Sequence, residues 1–245
     1  MNHYSLCFEC LESDPNTSVW AIGELTNDLF AICICPKGHK TLSSLMHHTP
    51  DILYMSAVQA FRKECYSESI LSFTAAFERT CELFFKAFGL KHGLTTEQID
   101  EMWKEMKNQS ERQYGAFCLA YCVATNSPWA AAPQQVEFRN KVVHKGYIAT
   151  KAEAEAYAEY ITDNLNKIIT VLNGDYEKEC RDIYFSCKKK ISPVIDKHMK
   201  GDPDLKFSAT GLPSLLRWNH RDREHIRFRE VLQVASRLEA KHLPK

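Results

Sequence analysis

Most of the chain carries the spacing of hydrophobic residues that is typical of α-helices. From Pro50 onward apolar residues recur three and four positions apart, and the clearest stripe lies between Ser69 and Phe88. Its members are Ile70, Phe73, Phe77, Cys81, Phe84, Phe85 and Phe88. Such a stripe forms one broad apolar face of a helix, so we expect it to pack in a protein core.

Further helices are predicted after this one. Gly89 is expected to end the first helix, because glycine often stands just beyond a helix. Thr95 and Gln98 have the spacing of a helix cap, and another helix is predicted from Tyr114 to Ala124. Several helices joined by short connections predict an antiparallel bundle.

The first 48 residues have a different pattern, in which runs of aromatic and β-branched residues lie between turn-forming residues. Val19 to Leu25 and Leu29 to Ile34 are predicted to be the two strands of a hairpin. The predicted fold class is therefore mainly α, with a small β-hairpin module before a helical bundle. We divide the chain into residues 1–48, the bundle at 50–173 and a basic helical C-terminal extension at 174–245.

Two pairs of metal-ligating residues flank the predicted hairpin. Cys7 and Cys10 precede the first strand, and Cys35 and His39 follow the second. Zinc prefers four tetrahedral thiolate and imidazole ligands, so these side chains predict a zinc-ribbon-like module with a structural zinc ion. Four protein ligands leave no position for a catalytic water, so no catalytic metal is expected. Cys33 competes with Cys35 for the same place, although Cys35 is favoured because it lies next to the turn.

Composition and charge narrow the classes of function. The 245 residues are 44% hydrophobic, which permits a substantial core. The 31 basic and 31 acidic residues give a formal charge of zero, so any contact with RNA has to be local. With no long apolar run and no signal-like leader, we expect a cytoplasmic protein without a membrane segment. In the reducing cytosol the ten cysteines are expected to be thiols or metal ligands.

A third group of candidate residues lies near the middle of the chain, where Arg139 and Asn140 are followed by His144. On a helix Asn140 and His144 share a face, and Arg139, about 140° away from His144, has a side chain long enough to swing back. Arginine offers a rigid fork of donors that matches phosphate oxygens, and histidine, with an ordinary pKa of about 6.5, suits proton transfer. These residues predict a phosphate-handling pocket, and a solvated helix face is the alternative interpretation.

The stretch from Val136 to Ile148, with the alanine-rich segment after it, resembles the last two core helices of HEPN domains. The hallmark of these domains is an arginine, a polar residue and, a few positions on, a histidine, which here form an R-N-x3-H motif. Gly146 supplies the expected helix stop, and Thr150 with Glu153 supplies the capping box of the next helix. The resemblance implies a HEPN-like antiparallel helical bundle. Glu78 stands where HEPN domains often carry an acidic residue.

The same resemblance implies a function, that of a metal-independent endoribonuclease of HEPN type. The 2′-hydroxyl of RNA would attack the neighbouring phosphate and leave 2′,3′-cyclic phosphate and 5′-hydroxyl ends. His144 is then expected to act as the general acid or base, and Arg139 to hold the phosphate. Asn140 would orient the phosphate or the imidazole, and Glu78 is a candidate for orienting Arg139 or His144.

The resemblance also implies partners and a cellular role. RNA is the expected partner, and a homodimer with a composite active site is expected, together with an antitoxin or another regulatory protein. A toxin-like ribonuclease of this kind would act in phage defence. The alternative is a non-catalytic HEPN-like adaptor that binds a nucleotide or a protein.

The C-terminal extension allows two interpretations. Basic residues between Arg181 and Lys200 are followed by the stretch from Trp218 to Arg229, where arginines alternate with histidines and aromatic residues. Such interleaving can bind RNA, because phosphates contact the cations and bases stack on the aromatic rings. The acidic residues Asp222, Glu224 and Glu230 lie among them, so a helical surface with its charges paired internally is equally predicted.

Overall fold

The structure is a computed structural model, and it describes residues 2–46, 48–106, 109–210 and 225–242. The described strands are β1 Asn2–Leu6, β2 Trp20–Glu24, β3 Phe30–Ile34, β4 Lys40–Leu45 and β5 Leu205–Thr210. The described helices are α1 Phe8–Ser13, α2 Thr49–Arg62, α3 Tyr66–Lys91, α4 Thr96–Met106, α5 Ser110–Thr125, α6 Pro133–Lys145, α7 Lys151–Asp175, α8 Glu177–Gly201 and α9 Phe228–His242. The protein is therefore mainly helical, as predicted.

The chain divides into two compact units, each described separately below. The first unit contains the described residues up to 48 together with 185–210, and the second contains 49–184 together with 225–241. The segment at 174–245, predicted as a single C-terminal extension, is thus apportioned between the two units. No helix within the described ranges combines the length and the apolar character needed to cross a bilayer.

The first unit is built on one five-stranded sheet in the order β1-β2-β3-β4-β5. Neighbouring strands are antiparallel except for β4 and β5, which run parallel. The predicted hairpin is present as β2 and β3, but the small β-hairpin module is corrected to a larger sheet. One face of this sheet packs against the C-terminal half of α8, in a core of Phe30, Leu42, Leu205, Ile191, Ile195 and Met199.

The second unit is a helical bundle around a continuous aromatic and aliphatic core. The predicted stripe on α3 is confirmed: Ile70, Phe73 and Phe84 are fully buried, and Phe77 and Phe88 pack against the same core. Burying each such side chain contributes about 1.5–3 kcal/mol. Aromatic contacts, such as the edge-on contact of the Phe84 and Phe117 rings at 5.6 Å between centroids, tie α3 to α5.

Gly89 does not end α3, which corrects the sequence-based expectation. The helix continues to Lys91, and the left-handed glycine after it is Gly93, with a φ of 86°. Gly89 serves close packing instead, because a Cβ at this position would lie 3.0 Å from Cδ1 of Ile99 on α4. The cap predicted for α4 is confirmed, since Thr95 N–H donates to Gln98 Oε1 at 2.9 Å.

The aromatic stretch near the C-terminus is partly described. Residues 218–224 of that stretch lie outside the described residues. Phe228, an aromatic residue of this stretch, is fully buried, and its ring contacts those of Phe61 and Phe73 at centroid distances of 5.2 and 5.5 Å. Phe228 is therefore a core residue and offers no surface to a base. Arg229 Nε lies 3.3 Å from Glu155 Oε1, so this arginine pairs with an acidic residue of α7 outside the stretch.

Candidate functional site

The first unit holds a cluster of metal-ligating side chains that two short backbone segments bring together. Cys7 stands at the N-cap of α1, and Cys10 lies within that helix. Cys35 and His39 bracket the turn between β3 and β4, where Cys35 N–H donates to His39 O at 3.1 Å. Gly38 N–H donates to Cys35 O at 2.9 Å, and Gly38 has a φ of 87°, a conformation that favours glycine.

The distances within this cluster fit a tetrahedral metal ion. His39 Nδ1 lies 3.6 Å from Cys7 Sγ and 3.3 Å from Cys10 Sγ, and Cys10 Sγ lies 3.9 Å from Cys35 Sγ. All four ligand atoms lie within 4.8 Å of one another. Tetrahedral zinc, with Zn–S of about 2.3 Å and Zn–N of about 2.0 Å, separates its ligand atoms by about 3.5–3.8 Å. The four predicted residues therefore form a Cys3His cluster able to bind a metal such as zinc.

Cys33, the competing ligand, lies outside the cluster. Its Sγ lies 3.8 Å from the carbonyl oxygen of His3, and the side chain is fully buried. Burial raises the pKa of the Cys33 thiol to about 11, so it is a neutral thiol at pH 7. The structure thus places Cys35 and not Cys33 in the cluster.

The second unit holds the other predicted residues on a well-delimited helix, α6. Pro133 stands in the first turn, and Gly146 caps the C-terminus in the left-handed conformation with a φ of 65°. The next helix, α7, begins with the predicted capping box: Glu153 N–H donates to Thr150 Oγ1, and Thr150 N–H donates to Glu153 Oε2 at 2.8 Å. These local signals determine where α6 ends and α7 begins, so the predicted helix stop and capping box are confirmed.

All four candidate residues of this unit line one cavity of about 320 Å³. Glu78 comes from α3, whereas Arg139, Asn140 and His144 come from α6. Cavities that bind small molecules have volumes of about 300–1,000 Å³, so this one suits a small ligand. The roles of the four residues stay predictions.

The contacts of Arg139 leave most of its donors for a ligand. Its Nη1 donates to Asn140 Oδ1 at 3.0 Å, and its Nη2 lies 3.7 Å from Glu78 Oε1. The distance between Arg139 and Glu78 is longer than that of a charge-assisted hydrogen bond, which is about 2.7–2.9 Å. With side chains 25% and 36% exposed, the Arg139–Glu78 pair contributes at most about 1 kcal/mol. The guanidinium is therefore oriented but not saturated.

An aromatic wall that the sequence analysis did not single out completes the cavity. It includes Phe77, Tyr114, Tyr157 and Tyr160. Thr74 Oγ1 donates to Ile70 O at 2.8 Å, so the Tyr157 hydroxyl, 2.9 Å away, donates to Thr74 Oγ1. Burial raises the pKa of Tyr157 to about 12, so the hydroxyl is neutral at pH 7. Tyr157 and Tyr160 are spaced i, i+3 on one face of α7, a spacing that in the sequence does not distinguish a cavity wall from a core.

Two curated proteins resemble part of this chain. The short-chain dehydrogenase chyC of Penicillium rubens is 23% identical over 151 residues, which is 58% of this chain and 58% of that protein. The short-chain dehydrogenase chry4 of Gibberella zeae is 25% identical over 118 residues, which is 48% of this chain and 46% of that protein. The chain spans about half the length of the curated relatives it matches. No protein-family model and no solved structure matches it.

These relatives correct the enzyme class predicted from the sequence. A dehydrogenase is an oxidoreductase, so their names contradict an endoribonuclease of HEPN type, and that prediction is withdrawn. The physical cause of the error is that an arginine, an amide and a histidine on one helix can hold a phosphate with or without bond cleavage. Residue types at a given spacing therefore indicate a ligand more strongly than a reaction.

The relatives' activity has no matching cofactor motif in this sequence. Proteins that bind nicotinamide or flavin dinucleotides commonly use a G-x-G-x-x-G loop at a strand-to-helix turn. The chain has nine glycines, and no two of them are two positions apart.

Proposed function

We propose that the second unit is a HEPN-like helical domain that binds a nucleotide in its cavity without cleaving it. The observation that carries this proposal is the convergence of Arg139, Asn140 and His144 on one cavity, opposite Glu78. The guanidinium and the amide are suited to phosphate oxygens. The aromatic wall supplies flat apolar surface on which a base can stack, a contact worth about 1–3 kcal/mol per base in proteins that bind single strands.

Calorimetric titration of the full-length chain with adenosine 5′-monophosphate (AMP) tests this proposal. We expect Arg139→Ala to weaken AMP binding about tenfold or more, because one charge-assisted hydrogen bond contributes about 1.5–3 kcal/mol. Lys141→Ala is the matched control, since it removes a cation of the same helix that lies outside the cavity and 3.1 Å from Glu137 Oε1. The control should bind AMP as the unaltered protein does.

Three results would overturn the proposal. The first is an affinity for AMP that Arg139→Ala leaves unchanged, and the second is the absence of any AMP binding. The third is the appearance, when total RNA is incubated with the protein, of fragments that depend on Arg139 and His144. The homodimer, the RNA partner and the regulatory protein implied by the resemblance stay predictions.

For the first unit, we propose that the Cys3His cluster binds zinc and that the ion is structural. Cys7, Cys10, Cys35 and His39 would occupy all four tetrahedral positions. Elemental analysis of the purified protein is expected to give one zinc per chain. Cys10→Ala should lose the metal, whereas Cys33→Ala, which removes a buried thiol outside the cluster, should retain it. Equal zinc content in the two variants would contradict this assignment.

A further inference from the structure

We infer that the cavity of the second unit selects ligands with one phosphate over ligands with three, and that Glu111 determines this preference. The inference rests on the proposed nucleotide binding, and it further specifies how much negative charge the bound nucleotide carries. Its basis is the set of polar and charged side chains around the cavity, namely the cation of Arg139, the imidazole of His144 and the carboxylates of Glu78 and Glu111.

The described residues of the cavity wall carry little positive charge. Among the described residues that line it, Arg139 is the only lysine or arginine. Glu78 Oε1 lies 3.7 Å from Arg139 Nη2, so part of that charge is already balanced. A phosphate monoester carries a charge of about −1.5 to −2 at pH 7, which one arginine, with the Asn140 amide and His144 beside it, can accommodate.

A second and a third phosphate would have no further lysine or arginine of the described wall to bind, and the carboxylates there would repel them. Glu111 lies in the first turn of α5, at the helix end that carries the partial positive charge of the backbone dipole. Its carboxylate opposes that partial charge and so removes an otherwise suitable anion position from the edge of the cavity. The volume of about 320 Å³ acts in the same direction, because it is near the lower end of the range for small-molecule cavities.

The test compares AMP with adenosine 5′-triphosphate (ATP) by calorimetry, using the full-length chain in buffer without divalent cations. A chelator is omitted, because it would also act on the cysteine–histidine cluster. We expect ATP to bind more weakly than AMP. Glu111→Gln should strengthen ATP binding about two- to fivefold, the effect of one exposed charge, and change AMP binding less.

Glu137→Gln is the matched control. It removes the same charge from an exposed position on α6 outside the cavity, and it should leave the ratio of the two affinities unchanged. ATP binding as tight as AMP binding in the unaltered protein would overturn the inference, as would equal effects of the two glutamine variants. In those cases nucleotide binding itself stands, whereas a protein that binds neither nucleotide overturns both proposals.

Discussion

Arg139 shows how far residue type and spacing predict a site. Helical geometry separates Arg139 from His144 by about 140°, and both line one cavity together with Val136 and Asn140, which lie between them on the helix. The four candidate residues could be named from the sequence because each has a distinctive chemistry. Tyr157 and Tyr160 could not, because a tyrosine on an apolar helix face is ordinarily a core residue, and their place in the wall depends on the packing of α3 against α7.

Glu153 gives a prediction on pH dependence at the residue scale. Its pKa is lowered from the ordinary 4.5, first because the Thr150 backbone N–H donates to the carboxylate, then because the hydroxyls of Thr150 and Tyr147 do. A carboxyl with a lowered pKa in the folded state stabilises the protein above its ordinary pKa. This stabilisation is lost as the pH falls through the lowered value.

Thermal melts of Glu153→Gln and the unaltered protein check this. The variant is expected to melt at a lower temperature than the unaltered protein at pH 7. The difference between the two melting temperatures should shrink as the pH falls below 4.5. The first unit is present in both proteins, so its own response to acid cancels in the difference. A difference that stays constant from pH 7 to pH 3 would show that the Glu153 carboxylate has no special role at this cap.

At the scale of elements, local signals predicted well and distant pairing did not. The stop at Gly146 and the capping box at Thr150 involve neighbouring residues, so the sequence contains all that determines them. Strand β4 escaped prediction because it is buried along most of its length and shows no alternation. Strand β5 pairs with β4 across more than a hundred intervening residues, and such a partner has no local signature.

Gly23 on β2 gives a prediction about the sheet. A Cβ at this position would lie 2.3 Å from the backbone oxygen of Ile32 on β3, so the two strands would have to separate. Gly23→Ala is therefore expected to lower the free energy of unfolding of the first unit by about 1–3 kcal/mol, as overpacking does. Urea unfolding, followed by a signal from the strands of the first unit, would measure this change in the free energy of unfolding.

Gly115 on α5 is the matched control for that substitution. Nothing lies within 4 Å of a Cβ built there, and the residue is helical. Gly115→Ala should raise the free energy of unfolding of the second unit by about 0.5–1 kcal/mol, because alanine favours helix more than glycine does. If the alanine at position 23 is tolerated as well as the one at 115, the close approach of β2 and β3 is not a constraint.

At the scale of the whole molecule, the two units differ in what holds them together. The second has a continuous core that includes Phe73, Phe84 and Phe228. The core around the Cys3His cluster of the first unit consists of small residues, namely Cys7, Cys10, Ala21, Ala31, Cys33 and Cys35. Small side chains bury little apolar surface, so we expect this part of the first unit to depend on the proposed zinc ion.

Removal of the metal is therefore expected to affect the units differently. After treatment with a chelator, amide hydrogen exchange should accelerate in β2 and β3 and stay slow in α3 and α7. AMP affinity should change by less than about twofold. Uniform acceleration across both units, or none in the strands, would contradict the assigned structural role of the metal.

The fold was predicted better than the function, because a pattern along the chain determines the first and not the second. The mainly helical architecture follows from a periodicity that runs through most of the chain. The choice between binding and cleavage depends on relative positions of a few groups and a ligand, which no periodicity encodes. The withdrawn endoribonuclease prediction, contradicted by the names of the relatives, illustrates this limit.

A crystal structure of the protein with AMP tests the proposed site most directly. We expect the phosphate within about 3.2 Å of the Arg139 guanidinium and the adenine against the aromatic wall of the same cavity. AMP bound elsewhere on the protein, or bound with its phosphate turned away from Arg139, would contradict the proposed function.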